Sequence, residues 1–95
     1  STNIASAATI ASGGASYLRL GGSGGAVTAS GTTAIADGAA TGQMLIIEGT
    51  SDANTLQIND AANTNLGANR VLGLNDVLYL IWNGTDWIEM GFVNN

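Results

Sequence analysis

Between Asp76 and Val93, two runs of β-favouring residues flank the dipeptide Asn83-Gly84. Asn-Gly tolerates the positive φ angles of a tight turn, so this stretch predicts a β-hairpin and constrains the fold more than any other part of the chain. A loop of residues 83–84 or of residues 83–86 gives the same cross-strand parity. One face then carries Val77, Tyr79, Ile81, Ile88, Met90 and Phe92, and the other Leu78, Leu80, Trp82, Trp87 and Glu89. The second face is expected to be the solvated one, yet over 77–82 it is wholly apolar. A small sheet that is apolar on both sides needs two layers of cover, and a chain of 95 residues supplies one. The pattern predicts self-association, with Leu78, Leu80, Trp82, Trp87, Met44 and Ile46 at the subunit interface.

Length sets one domain over residues 1–95, in the size range that buries only about two-thirds of its unfolded surface. Large apolar side chains are sparse before Thr41, where Ala, Gly, Ser and Thr dominate. The first half is therefore expected to build no thick core of its own, residues 1–12 to form an N-terminal arm, and residues 37–93 to hold the best-defined β core. Seven carboxylates face only Arg19 and Arg70, for a net charge of −5. Nucleic acid, which binds through clustered Lys and Arg, is not expected as a partner, and anionic lipid is a poor candidate. With no run of 18 apolar residues, membrane insertion is not expected. The absence of Cys and His removes thiol chemistry, the usual zinc ligands and the commonest general base. No cofactor is predicted.

Along the chain, Thr2 to Ile10 alternates loosely and is punctuated by Gly13-Gly14. Ala15 to Leu20 forms a clearer strand, followed by Gly21-Gly-Ser-Gly-Gly25. No Lys-Ser/Thr follows those glycines, so they predict a turn and not a phosphate loop. Ala26 to Ser30 and Thr33 to Ala36 are short strand candidates around Gly31. Gln43 to Glu48, with the apolar run Met44-Leu-Ile-Ile47, predicts a strand buried on both faces. Thr55 to Asn59 alternates, Asp60 to Asn69 predicts a loop with Leu66 as an anchor, and Val71 to Leu74 a short strand. The sum is an all-β domain of eight to ten short antiparallel strands, arranged as a sandwich, prism or barrel. No fixed repeat period is present.

The Asp residues fall in predicted turns or at strand edges, where Asp accepts hydrogen bonds from nearby backbone. Asp52, Asn54, Asp60 and Asn63 supply hard oxygen ligands and are the calcium candidates, in an order that does not match an EF-hand. Trp82, Trp87 and Tyr17 could stack on sugar rings, against the alternative that the two Trp residues pack across the hairpin. Asn83-Gly-Thr85 matches an N-glycosylation acceptor, though the hairpin turn explains the same residues.

Asp37-Gly38, Gly42-Gln-Met-Leu-Ile-Ile-Glu-Gly49, Asn54-Thr-Leu-Gln-Ile58, Leu74-Asn-Asp-Val-Leu-Tyr-Leu80 and Trp82-Asn-Gly-Thr-Asp-Trp-Ile-Glu89 together resemble the C-terminal β-rich domains of bacteriophage tail-fibre and head-fibre proteins. Asn75 stands where that pattern has Gly, and Asn83 where it often has Asp. The resemblance implies a non-enzymatic virion protein, a homotrimer at the virion surface or otherwise extracellular, acting by assembly and display. Other virion proteins or a host surface glycan would be its partners. Two alternatives accompany it. One is a repeating subunit of an extracellular filament, or a capsid-decorating cement protein, with residues 1–10 pairing to a neighbour's sheet. The other is a carbohydrate-binding module using the exposed aromatics. Burial of roughly 1,000 Å² per subunit would contribute on the order of 25 kcal/mol before entropic costs, making a folded monomer hard to observe.

Overall fold

A computed structural model describes residues 2–12, 14–30 and 33–95. The strands are β1 (Thr2–Ile4), β2 (Tyr17–Gly22), β3 (Val27–Ala29), β4 (Met44–Gly49), β5 (Leu56–Ile58), β6 (Thr64–Asn65), β7 (Arg70–Leu72), β8 (Val77–Trp82) and β9 (Trp87–Val93). No helix occurs among the described residues. A six-stranded sheet in the order β1-β2-β4-β8-β9-β6 packs on a three-stranded sheet, β3-β5-β7. Leu20, Leu45, Ile47, Leu78 and Leu80 from the first sheet and Val27, Leu56, Ile58 and Leu72 from the second share one core, so the molecule is a β-sandwich.

The expectation of antiparallel pairing throughout is corrected. Four of the seven ladders, β1–β2, β2–β4, β3–β5 and β6–β9, are parallel. After β2 the chain crosses to the second sheet as β3 and returns as β4; it crosses again as β5. Alternating between layers in this way makes each sheet receive strands running in one direction, which is a β-coil. Thr2 lies beside Leu20, 18 positions on, whereas Tyr17 lies beside Ile46 and Val27 beside Leu56, both 29 positions on. Unequal turns explain why the sequence shows no period. β7, β8 and β9 then close the coil with antiparallel ladders.

Residues 2–10 are the first turn of this coil and not a free arm. Thr2–Ile4 pairs with β2, and Ile10 bridges to Ile35 and is buried. The expected turn at Gly21-Gly25 starts later, because Gly21 and Gly22 belong to β2. A Cβ on Gly21 would lie 2.5 Å from Thr50 Oγ1, so a close approach between β2 and the loop after β4 keeps this strand position glycine. Of the segment 33–36 only Ile35 makes a bridge. Expectations placed on Gly13 and Gly31 lie outside the described residues. Leu66 is buried, as its anchoring role requires.

The terminal hairpin forms with the four-residue loop 83–86. Asn83 N–H donates to the Asp86 carbonyl (3.0 Å), and Asn83 Oδ1 accepts from the backbone N–H groups of Thr85 (2.9 Å) and Asp86 (2.8 Å). Gly84 takes φ 101°. A β-bulge interrupts the β8–β9 ladder, with Leu80 opposite Glu89 and Tyr79 opposite Gly91. Met90 is the extra residue, so parity changes beyond it. Phe92 consequently sits opposite Leu78 and packs against the core, not on the face expected for it.

A candidate assembly surface on the six-stranded sheet

The face expected at the subunit interface is the inside of a single chain. Leu78, Leu80 and Trp87 are 0% exposed and Trp82 5%. Both hairpin faces are apolar, so alternation could not distinguish inside from outside. Distant residues decide it. Trp87 Nε1 donates to the Ala36 carbonyl at 2.9 Å, and its backbone N–H donates to the Asn63 carbonyl at 2.6 Å. Gly38 lies flat on Trp82, where a Cβ would come within 2.4 Å of the ring. Asn63 Nδ2 ties the two covering segments together, donating to Ile35 O and Asp37 Oδ1, each at 2.8 Å. Ala36, Gly38 and Asn63 thus form a lid over the two indoles.

What remains outward is the opposite face of β2, β4, β8 and β9. Ladder register arranges it in three rows: Met44, Ile81 and Ile88; Tyr17, Ile46, Tyr79 and Gly91; Arg19, Glu48, Val77 and Val93. Of the residues expected at the interface, Met44 and Ile46 lie on this face, with Met44 45% exposed. β4 is accordingly buried on one face only, through Leu45 and Ile47. Met90, at the bulge, and Val93 are also exposed. Four strands about 4.8 Å apart and five residues of about 3.3 Å rise give a patch of roughly 250–300 Å², near the lower end of the size of the largest apolar patch on a typical monomer.

Charge on this face is confined to one corner. Tyr17 Oη donates to Glu48 Oε1 at 2.5 Å, and Arg19 Nε lies 3.6 Å from Glu48 Oε2. The hydrogen bond to Glu48 holds the Tyr17 phenol above its ordinary pKa. A second ion pair joins the two sheets at their edge. Arg70 binds Glu89 in a bidentate manner, Nε to Oε2 at 2.6 Å and Nη2 to Oε1 at 2.7 Å, and Arg70 Cζ stands 4.9 Å from the Phe92 ring centroid. Gly67 N–H also donates to Glu89. Together these donors hold the Glu89 carboxyl below the usual range, the Arg70 hydrogen bond contributing most. The hairpin pattern placed Glu89 among solvated residues and missed this pairing; its one sequence signal is that Arg70 is one of only two cations.

The calcium candidates are not brought together. Asp52 Oδ1 accepts from Leu74 N–H, Asp60 Oδ1 accepts from Leu66 N–H, and Asn63 donates toward Asp37. Asn54 donates its backbone N–H to Ser51 Oγ, and Asn63 Oδ1 is buried with no hydrogen-bond partner among the described residues. Among the described residues, every carboxylate side chain except that of Asp86 accepts a hydrogen bond, most of them from backbone amides. Among the described residues no group of three or more acidic side chains is placed to hold a metal ion. For sugar stacking, Trp82 and Trp87 are internal and only Tyr17, 50% exposed, lies at the surface.

Comparison with known proteins finds a family match. The family model described as phage depolymerase C-terminal beta sandwich domain covers residues 24–88, 65 of the 95. No curated protein and no solved structure matches the chain.

Proposed function

The chain belongs to the phage depolymerase C-terminal beta sandwich domain family, and from that premise we propose that it is a non-enzymatic structural domain of a phage tail-associated protein, displayed at the virion surface and acting as a homotrimer. The observation that carries the assembly reading is the apolar outer face of β2, β4, β8 and β9, where Met44, Ile46, Tyr79, Ile81 and Ile88 stand together with only the mutually paired Arg19 and Glu48 for charge. Its non-enzymatic character is supported by the carboxylates, which serve turns and ion pairs. The glycan-binding alternative loses its aromatic platform, since both Trp side chains are internal.

Magnitudes set the character of the assembly. A patch of roughly 300 Å² contributes about 7 kcal/mol per chain at ~25 cal/mol/Å², a third or less of what the sequence suggests. Rigid-body association costs an estimated 4–15 kcal/mol. The two are comparable, while one chain already encloses its own core. Assembly through this face is therefore reversible and concentration-dependent, with a folded monomer at the dilute end. Sedimentation equilibrium from about 1 to 200 μM tests the reading: a monomer–trimer equilibrium is expected, and a monomer across the whole range would overturn it.

A further inference from the structure

Among the described residues, the first coil turn, residues 2–10, is paired along one of its two edges. Toward the second turn, the Ile4 carbonyl accepts from Ser23 N–H (2.9 Å), Ala7 N–H donates to Thr28 O (3.0 Å) and Ser30 N–H to Ala8 O (3.1 Å). Ile10 N–H donates to Ala34 O (2.9 Å), and the Ile10 carbonyl accepts from Ala36 N–H (2.8 Å). Backbone groups alternate in direction along an extended chain, so with Ile4 and Ile10 facing the second turn, the N–H and C=O of Asn3 and Thr9 face the other way. One outward position lies in each leg of the turn. Exposed edges of this kind are ordinarily blunted by charges, proline or bulges. Here residues 2–18 contain no charged side chain and the chain contains no proline.

We infer that this edge is an interaction surface for one further turn of parallel β-coil, a polypeptide segment with small uncharged side chains outside and aliphatic ones inside. Direction and shape select that partner. Both legs of the first turn run parallel to their neighbours, β1 along β2 and Ile10 along Ile35. At the far end of the molecule, β6 runs in the same direction as β1, through β9, β8, β4 and β2, but is only two residues long, and β7 runs opposite to β5 and β3. A second copy stacked head-to-tail would match one leg in parallel and meet the other antiparallel. A copy related by a two-fold axis would meet the edge antiparallel. Only another coil turn follows both legs in the direction already set. Inside, Ile10 is buried against the second turn and Ile4 is half-buried at the open end of the core, so the added turn would place aliphatic side chains over them.

The test extends the whole chain at its N-terminus with a copy of residues 14–36 in which Tyr17→Thr and Arg19→Ser keep the outer face small and uncharged, joined by a copy of residues 11–16. Amide hydrogen exchange is read at Asn3 and Thr9, with Trp fluorescence reporting the fold. Both amides exchange freely in the unextended chain, and at least tenfold protection of both is expected in the extended one. A scrambled extension of the same composition gives none. Asn3→Pro, which removes an outward N–H and leaves the β1–β2 ladder intact, abolishes the gain at Thr9. Unprotected Asn3 and Thr9 in the extended chain would overturn the inference. So would concentration-dependent protection in the unextended chain, which would assign the edge to a second copy.

Discussion

Trp82 and Trp87 are directly opposite one another across the terminal hairpin, their ring centroids 5.3 Å apart and their planes tilted by 58°. The tilted contact adds about 0.5–1.5 kcal/mol to the burial of two large rings. It also fixes where the rest of the chain must go, since Ala36, Gly38 and Asn63 close over the pair. Trp87→Ala is expected to cost about 3–5 kcal/mol. Trp87→Phe keeps most of the ring but strips the Ala36 carbonyl of its donor, for a cost of about 1–3 kcal/mol. Urea unfolding followed by circular dichroism measures both and should rank them in that order.

Gly38 offers a more local check of the same packing. Gly38→Ala places a methyl group 2.4 Å from Trp82 Cγ, in a ring held by the hairpin and unable to swing away. Overpacking of this kind costs about 1–3 kcal/mol, or roughly 4–24 °C in melting temperature for a domain of this size. Relief of the loss by Trp82→Leu in the same chain would identify the clash as its cause.

The Arg70–Glu89 pair links stability to pH with a definite sign. The folded-state pKa of Glu89 is lowered, first by Arg70 and then by Gly67. Its contribution is fully present above the unfolded value of about 4.3 and is lost as pH falls through the lower folded value. Glu89→Gln should therefore lower stability at pH 7 by about 1–2 kcal/mol and flatten the decline in stability below about pH 4.5. An unchanged acid slope in the variant would show that other carboxylates carry it.

In the hairpin loop, Asn83 Oδ1 caps two backbone amides, a task that an aspartate oxygen performs equally well. Asn83→Asp should stay within about 0.5 kcal/mol of the parent, while Asn83→Ala should lose about 1 kcal/mol. Thermal melts of the three proteins at pH 7 separate these outcomes.

Local chemistry was legible where it was self-contained. Asn83-Gly84 located the hairpin and Leu66 the loop anchor. The resemblance placed Asn75 at a position occupied by Gly in phage fibre proteins, and Asn75 indeed adopts φ 66°, which Asn tolerates better than most residues. Non-local relationships were not legible. Leu80 and Ile81 are equally apolar, and only the distant segments that pack on one face, the second sheet over the core and Ala36, Gly38 and Asn63 over Trp82 and Trp87, make the Leu80 side the inside. Parallel pairing of Tyr17 with Ile46 depends on an intervening excursion to the second sheet, which no period records. The bulge at Met90 reverses Phe92 because one unpaired residue shifts all that follows.

The inside-out correction of the hairpin changes which substitution should affect assembly and which should affect folding. Leu80 is fully buried between β4 and β9, so Leu80→Asp brings an unpaired charge into the core and should leave little folded protein. Ile81, its immediate neighbour, points outward between Met44 and Ile88, where a carboxylate remains hydrated in the monomer. Ile81→Asp should therefore leave the melting temperature of the dilute monomer within a few degrees of the parent. At the centre of an apolar interface the same charge would be desolvated without a partner, which should weaken association by at least 100-fold in sedimentation equilibrium. If Ile81→Asp assembled like the parent, the oligomer would have to form through a different surface. If Leu80→Asp folded normally and only failed to assemble, the interior assignment of Leu78, Leu80, Trp82 and Trp87 would itself be wrong.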